Sequence, residues 1–260
     1  MGKKLIIHGD STNKVKIPLR DNFNPALHPR DDEGKFTERI GISVEDIAES
    51  VTPRSEFSDS GFESAWENAF FDDEKVSAAQ EYLQENTSLE KVKIEQPDRI
   101  TENFPEAVGQ ISLEVLRLDD SGQLENVDEL HIDDSIGATA MYFHEPGPDE
   151  DRAHTMVINS VIADKDFEHA FEESELANTV THEAGHALQW EIFDGGAVDA
   201  ETFRRQLTDE EQAKVSEQLS ELGGTHRMEF FAEAYRELTT SGELTDDMEQ
   251  LLTEYLPKNE

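Results

Sequence analysis

The sequence predicts an α+β domain, and three observations predict it. Helical apolar spacing runs through roughly residues 43–86, strand-like stretches follow over about 87–162, and helical spacing returns at roughly 172–191, 208–222, 227–240 and 245–256. No internal repeat is visible. At 260 residues the chain has room for one sizeable domain, or one domain and a smaller N-terminal unit. Only 35% of the residues are hydrophobic, which predicts a compact core with solvated segments around it.

Taken in order, residues 1–60 read as a loosely ordered arm, 61–104 as a helical segment and 105–260 as the main domain. Val15, Ile17 and Leu19 alternate with polar residues as a short strand would, and 24–36 is a Pro- and Gly-broken linker. That linker bears a short, weak resemblance to N-terminal segments of tailed-virus head proteins. Ser43 with Asp46 predicts a capped helix start, and Pro53 an end. Phe62, Trp66 and Phe70 form one apolar stripe and Val76, Ala79 and Leu83 another. Ile111, Leu113 and Val115, alternating with Ser112 and Glu114, predict a strand that ends in the turn Asp119-Asp120-Ser121-Gly122. Further strands are predicted over 138–143 and 156–162, with Gly147-Pro148 between them. Thr208 with Glu211 is a capping box opening one of the late helices.

The formal charge is −38, from 60 acidic against 22 basic residues, with no basic patch. Such a chain repels nucleic acid and anionic membranes, and neither is expected as a partner. The acids are interspersed with periodic apolar residues, as on a folded surface adapted to high salt, and a halophilic source is expected. There is no long apolar run and no export-signal core, so a cytoplasmic protein is expected. Cysteine is absent, so any metal must be held by His, Asp or Glu.

The segment His182-Glu183-Ala184-Gly185-His186 falls within a helical apolar pattern of Leu176, Val180, Ala184, Ala187 and Leu188. Residues four apart share a helix face, so His182 and His186 can present imidazole nitrogens to one Zn²⁺. Glu183 lies about 100° around the helix, within reach of a water beside the ion. Chance supplies about 0.04 such motifs in a chain of this composition. Gly185 breaks a local rule, since glycine inside a helix costs about 1 kcal/mol relative to alanine. The third ligand sets the subclass. Gln189 and Ile192 stand where a metzincin needs Gly and His, so that class is excluded. About twenty residues on, a thermolysin-like glutamate would meet Arg204, Arg205 and Gln206, with Glu201 nearby. Glu229 in Met228-Glu229-Phe230-Phe231-Ala232-Glu233-Ala234-Tyr235 is the better ligand. Glu233, four residues on, can accept a hydrogen bond from a ligating histidine.

The pairing of HEAGH with EFFAEAY resembles the catalytic domain of the anthrax lethal factor family, a gluzincin group. The likeness spans roughly 105–245 in element order and is sharp at 181–188 and 225–236. It implies a zincin-like domain, with a small sheet packed on the HExxH helix and a helical C-terminal subdomain. It implies His182, His186 and Glu229 as ligands of one Zn²⁺, Glu183 as general base and Glu233 behind a ligand. It further implies that the strand at 156–162 binds an extended peptide along its edge. The family's oxyanion-supporting tyrosine maps onto Leu222, and His226 is the substitute by position.

The expected function is thus a zinc metalloendopeptidase acting on a peptide or protein. The alternative is a zincin-fold protein of reduced or no activity, virion-structural or toxin-associated. His8, His28, His131, His144, His154 and His169 lack ligand spacing and carry no assigned role.

Overall fold

Ser43 and Asp46 exchange side-chain-to-backbone hydrogen bonds of 3.1 and 2.9 Å, the reciprocal cap their spacing predicts, and helix α1 (Val44–Glu49) starts there. The structure, a computed structural model, describes residues 43–49, 52–96, 103–144, 154–160, 173–193 and 205–257. The expected strand at 15–19, the linker at 24–36, Gly147-Pro148 and Glu201 lie outside them. Helix α2 (Ser60–Asn68) opens on Asp59, whose carboxylate accepts the Gly61 and Phe62 N–H groups. Helix α3 (Asp72–Asn86) buries Val76, Ala79 and Leu83, the stripe expected. Of the other stripe, Phe62 is buried and Trp66 half-buried, but Phe70 falls beyond the end of α2 and is 86% exposed.

Residues 111–115 are not a strand. They lie in helix α4 (Phe104–Asp120), which starts with Pro105 in its first turn and buries Phe104, Ala107, Val108, Ile111, Val115 and Leu118. Those positions recur every three or four residues, so the alternation at 111, 113 and 115 was incidental to a helical face. Of the expected turn, Asp119 and Asp120 are the last residues of α4, and the chain turns at Ser121 and Gly122, the latter at φ 73°.

Four strands make one sheet of order β1-β2-β4-β3: β1 (Lys91–Ile94), β2 (Glu129–Asp133), β3 (Ala140–Phe143) and β4 (Thr155–Asn159). β1, β2 and β4 are parallel, while β3 runs antiparallel to β4 with Tyr142 opposite Met156. The strand expected to offer its edge to a peptide, β4, is therefore interior, buried at every position, and the edge belongs to β3. The opposite edge is capped from α3. Gln84 and Gln80 accept the Val92 and Ile94 N–H groups at 2.8 Å.

Leu130, Ile132, Met156 and Ile158 of the sheet join residues of α4 and α5 (Glu173–Ile192) in one apolar core. Three helices follow: α6 (Asp209–Gln218), α7 (Arg227–Ser241) and α8 (Asp246–Tyr255). Thr208 and Glu211 form the predicted capping box at the start of α6. The architecture is α+β, with eight helices and one small sheet among the described residues. β1, from the helical segment, pairs with β2, and α1, from the arm, lies against α7 and α8. No helix among the described residues is long and apolar enough to cross a membrane.

Candidate metal centre

Helices α5 and α7 cross closely because of two small residues. A Cβ on Gly185 would meet the Ala232 Cα at 3.0 Å and the Tyr235 Cδ1 at 3.1 Å. The glycine that weakens α5 as an isolated helix is what admits α7. This contact sets the carboxylates of α7 against the imidazoles of α5. His182 and His186, one turn apart, have ring centroids 4.8 Å from each other. Glu229 Oε2 lies 3.2 Å from His182 Nε2 and 3.6 Å from His186 Nε2. One ligand atom from each of the three residues falls within 4.8 Å of the others, a set that could hold a metal ion.

Behind the first ring, His182 Nδ1 is 2.7 Å from Glu233 Oε1, and Glu233 Oε2 is 3.1 Å from Arg236 Nη1. The carboxylate thereby directs Nε2 of His182 toward Glu229. His186 has no such support, since its Nδ1 is buried with no hydrogen-bond partner. Burial alone would lower the pKa of His182. The carboxylates of Glu229, Glu233 and Glu183 outweigh it and push the imidazole up to about 9. Burial works the other way on Glu229, and the hydrogen bonds from the two histidines hold it far below the usual carboxylate range. Glu233 is likewise lowered against its burial, chiefly by His182 and a Ser220 hydrogen bond.

Glu183 lies beside this cluster and is almost fully buried. Burial raises its pKa, partly offset by His186 and His182, and the Tyr142 N–H of β3 donates to its carboxylate. A group so placed is more basic than a solvated glutamate and suits proton transfer.

The cluster forms part of the wall of a cleft of about 890 Å³, bordered by β3 on one side and by α5, α7 and Leu222 on the other. Comparison of the chain with protein-family models, with curated proteins and with solved structures gives no match. The site therefore has to be read from its own geometry.

The structure brings together His182, Glu183, His186, Glu229 and Glu233, but it does not bring His226 to them. His226 is the N-cap of α7. Its Nδ1 accepts the Met228 N–H at 3.1 Å and its Nε2 is 3.0 Å from Gln206 Nε2, and it is not among the residues lining the cleft. Leu222, half-exposed, does line the cleft. Sequence reading missed three contributors: Tyr142 through its backbone, Asn178 in the cleft wall, and Arg54, whose guanidinium holds Asn178 Oδ1 at 2.6 Å. Asn178 carried a legible signal, because it is one turn before His182 on the same face.

Proposed function

We propose that the chain is a zinc-dependent metallopeptidase of zincin-like architecture, with His182, His186 and Glu229 as ligands of one Zn²⁺. The observation that carries this is the placing of one carboxylate oxygen 3.2 and 3.6 Å from two imidazole Nε2 atoms. Tetrahedral zinc with bonds of about 2.1 Å needs its ligand atoms roughly 3.4 Å apart. Two neutral nitrogens and one carboxylate oxygen are a donor set zinc accepts, and three protein ligands leave a position free.

When bound, the ion supplies a Lewis acid that polarises a carbonyl and acidifies a water. The chain's own residues do the rest. Glu183 takes a proton from the attacking water at its buried carboxylate and delivers it to the leaving amine. Glu233 holds His182 in one tautomer. β3, the edge strand among the described residues, would receive an extended peptide laid over the cluster, beside the Tyr142 N–H that already serves Glu183.

A second reading has one observation behind it. The position equivalent to the family's oxyanion-supporting tyrosine is Leu222, and His226 is occupied as a helix cap. In that reading the zinc fold persists with little or no hydrolysis. Glu183→Ala separates the two. It should keep its zinc, measured by metal analysis in molar salt, and lose at least a hundredfold of any peptide cleavage. Unchanged turnover would remove Glu183 as the base, and a wild-type chain that binds zinc but cleaves no peptide would favour the second reading.

A further inference from the structure

One end of the cleft is electrostatically unlike the rest of this acidic molecule. The pairs His186–Glu229 and His182–Glu233 show α5 and α7 running antiparallel, four residues down one matching four residues up the other. One more turn brings Asn178 level with Glu237, the residue after Arg236; Asn178 and Arg236 both line the cleft, and Glu237 is not among its lining residues. Asn178 Oδ1 is taken by Arg54 Nη1 at 2.6 Å, and its amide NH₂ has no hydrogen-bond partner among the described residues. Arg236 spends Nη1 on Glu233 and keeps further N–H groups. Behind Asn178, the guanidinium groups of Arg54 and Arg117 share the single carboxylate of Glu114, so the cluster carries one positive charge in excess. Two donors with a cationic backing form a receptor for a carboxylate.

Direction follows from β3. The Tyr142 N–H reaches Glu183, and the His144 and Trp190 rings meet at 3.7 Å, so α5 and β3 run the same way. A peptide pairing antiparallel to β3 places its C-terminal half toward Ala138 and Asn178. We propose, building on the peptidase reading, that Asn178 and Arg236 form a carboxylate-binding subsite for the segment C-terminal to the cleaved bond. Arg54 is a positioning residue, acting through Asn178. The carboxylate comes from an acidic side chain or from the peptide's own C-terminus.

The test is equilibrium binding of three acetylated tetrapeptides to the zinc-loaded full chain by calorimetry. One ends in glutamate amide, one in glutamine amide, and one in glutamine with a free C-terminus. At least one acid probe should bind roughly tenfold tighter than the neutral amide, the size of one charge-assisted hydrogen bond, and which one does so names the source. Asn178→Asp and Arg236→Gln, each compared at full zinc loading because Arg236 also holds Glu233, should each abolish that preference while leaving the neutral probe's affinity unchanged. Arg54→Lys should weaken the preference in part. Equal affinity for all three probes in the wild-type chain, or a preference that survives both Asn178→Asp and Arg236→Gln, overturns the subsite. A chain that prefers acid probes but cleaves nothing keeps the subsite and sinks the peptidase. One that cleaves peptides without acid preference does the reverse.

Discussion

The carboxylate of Glu233 never needs to touch a metal to matter. It fixes the ring of His182 from 2.7 Å, and without it the imidazole could turn or change tautomer. Glu233→Gln keeps the shape and loses the charge. It should weaken zinc affinity by about 10- to 100-fold, read by competition with a chelating dye. Affinity unchanged in that variant would mean that packing alone orients the ring. The residues of the candidate site were legible in the sequence because their chemistry has a fixed spacing. His182 and His186 stand four apart, and so do Glu229 and Glu233. His226 was read as a catalytic substitute, and its place as the cap of α7 was not legible, because a histidine immediately before a helix fits either reading; here its Nδ1 accepts the Met228 N–H. Nor was the role of Arg54, whose partners Glu114, Asn178 and Thr181 are 60, 124 and 127 residues away in sequence.

Among the elements, the contact of α5 with α7 decides whether the three ligands meet. Gly185→Ala should gain about 1 kcal/mol of helix propensity and lose about 1–3 kcal/mol to overpacking against Ala232 and Tyr235. The net expectation is a lower melting temperature together with weaker zinc binding, because α7 must move outward. A variant that melts lower but binds zinc as before would show that the approach of the helices and the ligand geometry are separable. Helices were easier to foresee than strands. α5, α6, α7 and α8 have caps or long apolar stripes, whereas β2 is five residues long and its alternation rests on two apolar positions, Leu130 and Ile132, between Glu129, His131 and Asp133. α4 was misread for the opposite reason. It is apolar over so much of its surface that a short window shows either period.

Across the whole molecule, stability runs through a buried ionic junction. Glu114 accepts from Arg54 and Arg117 and also from Thr181, tying the N-terminal segment and α4 to α5, the helix of His182 and His186. Burial alone would raise the pKa of Glu114, but the two guanidinium groups hold it below the ordinary value of 4.5. A carboxylate lowered in the folded state stabilises the fold above its unfolded pKa and loses that contribution as pH falls through the folded one. Glu114→Gln leaves Arg117 buried without its counter-ion and should cost about 3 kcal/mol in urea unfolding at pH 7. The deficit should shrink as the pH is taken below 4.5 and vanish under the folded-state value. A deficit that stays constant with pH would show that shape, not charge, is what the junction needs. The α+β class was readable from the order of periodic segments. The contacts that link distant segments, the Arg54–Glu114 ion pair and the β1–β2 pairing, were not, because neither has a local spacing.

β1 has a practical consequence for anyone shortening this protein. An expression fragment opening at residue 105 would look complete on paper, with every suspected ligand included. It would nonetheless strip β2 of its neighbour, uncover the apolar side of α4 and discard the arginine that steadies Asn178. Such a fragment is expected to precipitate, and the smallest soluble unit must begin upstream of α1.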